Sequence, residues 1–448
     1  VWDRENTFQK SIDSRPADKP YVFFEGPPSA NGKPGIHHVM ARAIKDIFCR
    51  FHTLRGYCVE RKAGWDTHGL PVELGVEKEL GITKEDIGVK LTIEEYNEAC
   101  KKAVMRYTDI WNDLTRKMGY WVDMDAPYVT YENKYIESVW WLLKQLDDKD
   151  LLYKGYTIQP YSPAAGTGLS SHELNQPGAY RDVKDTTVVA QFKALPECGA
   201  RVLEHAGPEK AEAYGHLPVY FLAWTTTPWT LPSNTALTVG PDITYILVAT
   251  KNRYTDELGL VLLAEDSMGK YFGGKKAPEH EVIARISGAE LCGARYEQLL
   301  DWAEPMEGVS EAFRVIPGDF VTTEDGTGIV HTAPTFGADD ARVAAASGVP
   351  PMLIDDGTGQ GVPLVDLQGR IRDGVGPLAG RYVKEEYYDE REAPERSVDV
   401  EIAIDLKGRG LAFLVEKYEH NYPHCWRTDK PVLYYPLDSW FIRATAAK

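Results

Sequence analysis

The 448-residue chain has no apolar run long enough to cross a bilayer. Its longest apolar stretches, such as residues 219–224 and 258–264, fall far short of the about 20 residues that a spanning helix needs. The opening Val-Trp-Asp-Arg-Glu also lacks the basic and apolar regions of a secretory signal peptide. The sequence therefore predicts a cytoplasmic protein rather than a membrane-spanning or secreted one.

Cysteine is scarce, and the few cysteines are scattered without any C-x-x-C pair. This spacing argues against both a disulfide framework and a cysteine-rich zinc site. The nearest approach to a metal motif, His172-Glu173, lacks the second histidine of H-E-x-x-H. We therefore predict no metal site, and we interpret the adjacent His424 and Cys425 as structural. The six cysteines are Cys49, Cys58, Cys100, Cys198, Cys292 and Cys425.

Positive charge is also in deficit. The chain has 50 Lys and Arg against 67 Asp and Glu, a net charge of −17 with a pI near 5.2. Because phosphate contacts need clustered basic residues, this balance by itself argues against a nucleic-acid partner. Net charge does not describe one local face, however, so it is a caution and not an exclusion.

The length predicts two or three domains, the first of which has an α/β pattern. Residues 21–25 resemble a buried strand, and a helix is expected from about His37 to Gly56, where a glycine often ends a helix. Residues 57–60 then resemble a second strand. A longer helix is predicted from Thr92 to Gly119, and an amphipathic helix over residues 136–146.

Beyond Gly155 the pattern changes to short strand-like runs separated by Gly, Pro and Asp. Strands at such spacing are typical of a β-barrel-like domain. A further strand is predicted at residues 440–442. The runs cover residues 187–192, 219–226, 245–250, 258–264, 281–286, 313–316 and 328–332.

A small-residue turn, residues 26–38, joins the first predicted strand to the first helix. Free N–H groups and the dipole at a helix N-terminus favour anions such as a triphosphate, and two histidines stand at this end. Taken alone, the turn is better explained as a tight strand–helix connection with capping histidines. The P-loop spacing does not match, and no G-x-G-x-x-G is present.

A second segment, Gly-Trp-Asp-Thr-His-Gly-Leu-Pro at residues 64–71, follows the second predicted strand. Open α/β sheets bind ligands beyond the carboxyl ends of their strands, and a carboxylate there suits a substrate ammonium. Asp66 is therefore a candidate binding residue. A helix N-cap is the alternative for this residue alone.

The chain resembles class I aminoacyl-tRNA synthetases of the isoleucine, valine and leucine group. The resemblance rests on three motifs in this order: G-P-P-x-A-N-G, the helix start Gly-Ile-His-His, and G-W-D-x-H-G-L-P. The resemblance runs over essentially the whole chain and implies a Rossmann-type catalytic domain. It implies an amino-acid pocket lined by Gly26 and Pro27, with Asp66 on the α-ammonium. It also implies ATP contacts from Asn31, Gly35 and His38.

One departure concerns the family's usual His-Ile-Gly-His, which is here Gly35-Ile36-His37-His38. The first histidine and the glycine have exchanged places, while the last histidine stays. His38 is expected to stabilise charge on the transferring phosphates. His37 is assigned with it as catalytic, and whether it replaces the missing first histidine is open.

Two further segments, residues 224–234 and 326–340, contain a run of threonines, a histidine and two adjacent aspartates. Each has an ordinary explanation, because Thr favours strands, a lone His is often structural and Asp often caps a helix. Together they resemble the editing domain of the same family, and their sequence motifs resemble those of its isoleucyl members. The resemblance implies that Asp340 holds the ammonium of a misplaced valine, that His331 excludes isoleucine, and that the terminal adenosine and water are contacted by Thr225, Thr226, Thr227 and Thr230.

We therefore expect the first half of a catalytic domain (residues 1–150), a connector (151–185), an inserted editing domain (186–405) and a return connector (406–448). The resemblance implies ATP-dependent ligation of isoleucine to tRNA(Ile) through isoleucyl-adenylate, with hydrolytic editing of Val-tRNA(Ile). Implied partners are tRNA(Ile), isoleucine and ATP with Mg²⁺, without a membrane and with a monomer as the expectation.

The K-M-S-K-S loop and the anticodon-binding region are not found, so we expect a fragment that forms no adenylate alone. A fragment of a valyl enzyme and a free-standing aminoacyl-tRNA deacylase are the alternatives. The deacylase would lack the motifs at residues 26–38 and 64–71, and both are present.

Overall fold

The computed structural model describes residues 1–274, 277–389 and 391–448. Its contacts divide the chain into two compact units. The N-terminal unit comprises residues 1–153 and 440–448, and the β-rich unit comprises residues 154–439. Helices and strands are mixed, as the predicted α/β class requires. The finer division into four segments remains a prediction.

The N-terminal unit is mainly helical, with one pair of parallel strands. Its helices are α1 (Trp2–Glu5), α2 (Thr7–Asp13), α3 (Ile36–Leu54), α4 (Leu70–Leu80), α5 (Ile93–Val104), α6 (Thr108–Met118) and α7 (Asn133–Asp147). The parallel strands are β1 (Lys62–Trp65) and β2 (Asp123–Val129).

Helix α3 begins and ends as predicted, with Gly56 just beyond it at φ +83°. Its buried positions are Arg42, Cys49 and Thr53. The apolar residues that recur at helical spacing along α3 are each more than half exposed, namely Met40, Ile44, Ile47, Phe48, Phe51 and Leu54. This spacing therefore indicates the helix but does not identify its buried face.

The strands predicted at residues 21–25 and 57–60 are wrong. Residues 21–25 have only an isolated bridge nearby, between Pro20 and Cys58, and Phe24 is 89% exposed. The paired strands lie later, with Lys62 opposite Asp123. An apolar run shows that a segment can be buried, but a strand also needs a partner, which the run does not reveal.

The single helix predicted from Thr92 to Gly119 is also wrong, because the chain forms α5 and α6 with a break between them. Both ends are as expected. Thr92 caps α5 by accepting the Glu95 N–H at 3.2 Å, and Gly119 follows α6 at φ +65°. The break occurs where the Tyr107 N–H donates to the Ala30 carbonyl at 3.0 Å instead of continuing the helix. Helix α7 confirms the prediction at residues 136–146.

The β-rich unit contains most of the strands. Its strands are β3 (Leu152–Ser162, which starts in the N-terminal unit), β4 (Thr167–Gly168), β5 (Tyr180–Lys193), β6 (Val219–Thr225), β7 (Ala236–Val239), β8 (Thr244–Lys251), β9 (Leu258–Ala264), β10 (His280–Ser287), β11 (Arg314–Pro317), β12 (Ile329–Thr332), β13 (Leu353–Asp355), β14 (Gly361–Pro363), β15 (Ala412–Pro423) and β16 (Leu433–Ile442, which ends in the N-terminal unit). Its helices are α8 (Ser171–Leu174), α9 (Pro196–Glu204), α10 (Pro208–Tyr214), α11 (Met268–Phe272), α12 (Gly288–Leu291), α13 (Ala338–Ser347) and α14 (Val398–Gly408).

A mixed sheet of nine strands organises this unit, in the order β10-β8-β9-β6-β12-β7-β11, with β5 joining β6 to β15. All seven predicted strand-like runs lie in this sheet and are confirmed, whereas β7 and β15 were missed. Strand β6 pairs with β5 along one edge, and with β9 and then β12 along the other. The sheet therefore branches at β6, and the branch lies beside the start of the threonine-rich segment.

A second sheet of three strands has the order β16-β3-β4, and the strand predicted at residues 440–442 is the end of β16. Among the described residues, no helix combines the length and the apolar character needed to cross a membrane.

Candidate functional site

A cavity of about 360 Å³ lies in the β-rich unit where the threonine-rich segment meets residues 326–340. Its walls include every residue that the sequence assigned to editing. The structure therefore brings together two segments that are about a hundred residues apart in the chain. The predicted residues in the wall are Thr225, Thr226, Thr227, Thr230, His331 and Asp340.

Local hydrogen bonds determine how the threonine-rich segment turns. At the end of β6, the Thr225 hydroxyl accepts the Thr227 N–H at 3.1 Å. Pro228 then begins a buried 3₁₀ helix, Pro228–Ser233. The Thr227 carbonyl accepts both the N–H and the hydroxyl of Thr230, at 3.0 and 2.8 Å. These bonds fix the side chains of Thr225 and Thr230.

His331 is supplied by β12, which pairs with β7 so that His331 lies opposite Leu237. Its side chain is buried, and both ring nitrogens have partners in the protein. The Asn234 Nδ2 lies 2.8 Å from Nδ1, and the Thr230 hydroxyl lies 3.0 Å from Nε2. Because a carboxamide nitrogen only donates, we assign the ring proton to Nε2.

Burial lowers the pKa of His331 to about 3, so the ring is neutral at physiological pH. A neutral ring with both nitrogens engaged is poorly suited to proton transfer. The side chain instead forms a fixed wall of the cavity.

Asn234 holds that ring in place and was not assigned a role from the sequence. Its Oδ1 accepts the Tyr296 hydroxyl at 2.7 Å, and its Nδ2 also donates to the Ala236 carbonyl at 2.8 Å. Tyr296 is almost fully buried, and burial raises its pKa well above the usual value. The available signal for Asn234 was its place at the end of the threonine-rich motif. Nothing local marked Tyr296.

Asp340 lies in the first turn of α13 and is partly buried. One carboxylate oxygen accepts the Ala333 N–H at 2.8 Å. Burial raises the pKa of this carboxyl to about 6, the Ala333 hydrogen bond opposes the rise, and Asp339 adds to it. A Cβ at Gly337 would lie 2.7 Å from the Asp340 Cγ, so this close approach requires glycine. Gly337 is the N-cap of α13, so the capping explanation for the two aspartates is not what the structure shows.

The second candidate site is the N-terminus of α3 in the N-terminal unit. The Gly35 N–H donates to Nδ1 of His38 at 2.9 Å, which leaves Nε2 to carry the proton of a neutral ring. Burial, His37 and Arg42 all lower the pKa of His38. The His37 ring lies against His38 with centroids 3.8 Å apart. His38 can therefore donate a hydrogen bond from Nε2 to an anion.

Asp66 directly follows β1 and is exposed. Its N–H donates to the Pro28 carbonyl at 3.0 Å, and this bond joins the two predicted binding segments. Helix α4 is capped by Gly69, so Asp66 does not act as its N-cap. Within the described part of the chain, its carboxylate accepts the His68 N–H at 3.4 Å.

The remaining predicted residues lie in the connection that leads into α3. The Gly26 carbonyl accepts Lys45 Nζ at 3.2 Å, and Pro27 follows it along the chain. Asn31 accepts the Ser29 hydroxyl at 2.9 Å. These contacts hold the loop, and they leave the substrate roles of the loop residues as predictions.

The sequence model of the tRNA synthetases class I (I, L, M and V) matches residues 1–448. The chain belongs to this family. The resemblance inferred from the motifs is thereby confirmed, and the class I synthetase fold class with it.

Relatives named isoleucine--tRNA ligase match the whole chain. That of Bacteroides fragilis is 58% identical over 476 residues, and that of Cytophaga hutchinsonii is 57% identical over 470 residues. That of Clostridium tetani is 44% identical over 447 residues. The chain spans only about 40% of the length of these relatives, at 40%, 41% and 38% respectively.

Solved structures give a weaker likeness. The editing domain of the P. knowlesi cytosolic leucyl-tRNA synthetase is 13% identical, with a TM-score of 0.35, over 52% of this chain and 97% of that domain. The ternary complex of Agrobacterium radiobacter K84 agnB2 LeuRS with tRNA and LeuAMS is 17% identical, with a TM-score of 0.30, over 95% and 48%.

Proposed function

We propose that the chain is part of an isoleucine–tRNA ligase, which joins isoleucine to tRNA(Ile) through isoleucyl-adenylate and hydrolyses mischarged Val-tRNA(Ile). One observation carries the proposal. Six residues selected from the sequence line a single cavity that combines hydroxyls, a carboxyl and a neutral, immobile histidine.

In the proposed editing reaction, the Asp340 carboxylate holds the α-ammonium of the misplaced valine. The hydroxyls of Thr226, Thr227 and Thr230 surround the ester and the terminal ribose. Water attacks the ester carbonyl carbon, the bond to the ribose oxygen breaks, and valine and free tRNA leave. His331 limits the space for the side chain, so that the larger isoleucine does not fit.

A hydrolytic site is needed because the synthetic site has limited selectivity between similar amino acids. One methylene in a hydrophobic pocket is worth only about 1–3 kcal/mol of discrimination, for which isoleucine against valine in this very family is the standard example. A second site that admits only the smaller side chain therefore multiplies the selectivity.

In the proposed activation half, Asp66 binds the substrate ammonium, while Gly26 and Pro27 border the amino acid. His38 donates a hydrogen bond from its Nε2–H to a phosphate oxygen at the N-terminus of α3, where the helix dipole also favours an anion. The described residues contain no cluster of three or more His, Cys, Asp or Glu that could hold a metal. Mg²⁺ is proposed to arrive with ATP.

The full-length enzyme tests this function by amino-acid-dependent ATP–pyrophosphate exchange. Isoleucine should support exchange far better than valine at equal concentration. A preference for valine would assign the chain to the valyl branch, and no exchange with either amino acid would overturn the activation half of the proposal.

The pH dependence of editing should follow Asp340. Because burial raises its pKa to about 6, the carboxyl loses its charge, and its hold on the ammonium, as the pH falls through that value. His331, with a pKa of about 3, does not titrate in this range. We expect kcat/KM for deacylation of Val-tRNA(Ile) to fall about tenfold per pH unit below about pH 6.

The measurement is deacylation between about pH 5 and pH 8, corrected for spontaneous ester hydrolysis. Asp339→Ala should move the acid limb to lower pH, since Asp339 raises the pKa of Asp340. A profile that stays flat below pH 6 would remove Asp340 from ammonium binding.

The exchanged residues at the start of α3 should be energetically coupled. A Cβ at position 35 would lie 2.8 Å from Cε1 of His37, so a side chain there displaces the His37 ring from His38. Gly35→His alone should therefore lower kcat/KM for ATP, and the added His37→Gly should restore it. We expect a coupling free energy of at least about 0.5 kcal/mol.

The coupling is read from pyrophosphate exchange by the full-length wild type, both single variants and the double variant. Strictly additive effects would show that the two positions are independent.

A further inference from the structure

The 3₁₀ helix Pro228–Ser233 is buried along its whole length, and its first turn has an unusual anchor. The Trp229 N–H cannot bond within the helix, because the first N–H groups of any helix lack an internal acceptor. It donates instead to the Oδ1 of Asp399, at 2.8 Å. Asp399 comes from α14, 170 residues further along the chain, and its side chain is only 5% exposed.

Asp399 is a costly residue to bury. Burial raises its pKa to about 7, and Lys384 and the Trp229 N–H oppose that rise. The other charged groups that act on it are Asp185, which raises its pKa, and Lys417, which lowers it. Burial of a carboxylate costs free energy unless hydrogen bonds or an opposite charge compensate it.

Lys384 forms its salt bridge with Asp185 rather than with Asp399. Its Nζ lies 3.1 Å from Asp185 Oδ2 and 4.5 Å from the centre of the Tyr422 ring. His420 Nε2 approaches the same oxygen of Asp185 at 3.2 Å. The salt bridge therefore belongs mainly to Asp185, and the hydrogen bond that Asp399 makes is to the backbone of the threonine-rich segment.

That hydrogen bond is directly connected to the cavity wall. Trp229 lies between Thr227 and Thr230 in the chain. The Thr227 carbonyl accepts two hydrogen bonds from Thr230. The Thr230 hydroxyl lies 3.0 Å from the His331 ring. If the N–H of Trp229 were released, the first turn could shift, and both threonines would shift with it.

We propose that Asp399 is a positioning residue for the editing reaction, holding Thr227 and Thr230 in place through the Trp229 N–H. This inference rests on the proposed editing function. Asp399 touches no substrate in this account, and its effect passes through the backbone of the 3₁₀ helix.

The test compares three variants in the full-length enzyme by single-turnover deacylation of Val-tRNA(Ile). Asp399→Asn keeps an acceptor oxygen in place without the charge. Asp399→Glu keeps the charge but displaces the oxygens by one methylene, and Asp399→Ala removes the acceptor. We expect the deacylation rate of Asp399→Asn to lie within about threefold of the wild-type rate. The rates of Asp399→Glu and Asp399→Ala should be at least about tenfold lower than the wild-type rate.

Pyrophosphate exchange should be unchanged in every variant, and Asp405→Ala, at an exposed position of the same helix, should deacylate like the wild type. If Asp399 served only to balance the charge of the buried cluster, Asp399→Glu would deacylate faster than Asp399→Asn. That order of rates would overturn the proposal. Thermal unfolding identifies any variant that does not fold. In the wild type, the Trp229 amide should exchange with solvent as slowly as core amides, and fast exchange would also overturn the proposal.

The two proposals fail differently. A wild type that does not hydrolyse Val-tRNA(Ile) removes the editing function, and the positioning role with it. Hydrolysis that is lost in Asp340→Ala but normal in Asp399→Ala and Asp399→Glu would leave the function intact and remove only the role of Asp399.

Discussion

Asp340→Ala should slow hydrolysis of Val-tRNA(Ile) by at least about thirtyfold, since truncating one partner of a buried, hydrogen-bonded charge pair costs about 2–5 kcal/mol. The carboxyl is fixed by the Ala333 N–H at 2.8 Å and faces the cavity that the threonines line. Single-turnover deacylation by the full-length enzyme measures the effect. Isoleucine-dependent pyrophosphate exchange should be unchanged.

The neighbouring residue provides a matched control. Asp339 has a side chain 69% exposed and lies 3.5 Å from Arg342, away from the cavity wall. Asp339→Ala should keep the deacylation rate near the wild-type value at neutral pH. Equal rates for Asp340→Ala and the wild type would show that the ammonium is held elsewhere.

His331→Ala should turn correctly charged Ile-tRNA(Ile) into a substrate. The ring is neutral and held at both nitrogens, so its loss removes a rigid wall rather than a catalytic acid or base. One methylene is worth about 1–3 kcal/mol, as isoleucine against valine illustrates, so we expect at least about a tenfold faster hydrolysis of Ile-tRNA(Ile). Deacylation of both charged tRNAs by the same preparation gives the ratio.

The matched control for this variant keeps volume and hydrogen bonding. His331→Gln retains a side chain that can meet Thr230 and Asn234, and it should hydrolyse Ile-tRNA(Ile) much less than the alanine variant. Removal of the ring also leaves Asn234 Nδ2 without one buried partner, at a cost to stability of about 1–3 kcal/mol. If Ile-tRNA(Ile) stayed intact with the alanine variant, His331 would have a structural role only.

Local signals predicted local structure well. Helix α3 and the capped start of α5 follow from periodicity and from side chains that bond within one turn, and both are confirmed. The strand placed at residues 21–25 failed because its status depends on a partner elsewhere in the chain. The break before α6 was not predicted for a similar reason, since it depends on the hydrogen bond from the Tyr107 N–H to the distant Ala30 carbonyl.

The same distinction explains what was found at the candidate editing site. The residues with unusual composition, a threonine run and paired aspartates, were recognisable from their motifs. Asp399 and Tyr296 lie outside those motifs and contact them only in the folded chain, through the Trp229 N–H and through Asn234. A single acidic or aromatic residue in ordinary surroundings carries no signal of such a contact.

The assignment of the cavity to editing is tested by the rates at which the full-length wild type and Asp340→Ala hydrolyse Val-tRNA(Ile) and Ile-tRNA(Ile). We predict that the wild type hydrolyses the valyl ester at least about tenfold faster than the isoleucyl ester, and that Asp340→Ala loses this hydrolysis. Equal hydrolysis of both esters, or full activity without the Asp340 carboxyl, would contradict the assignment of this cavity to editing.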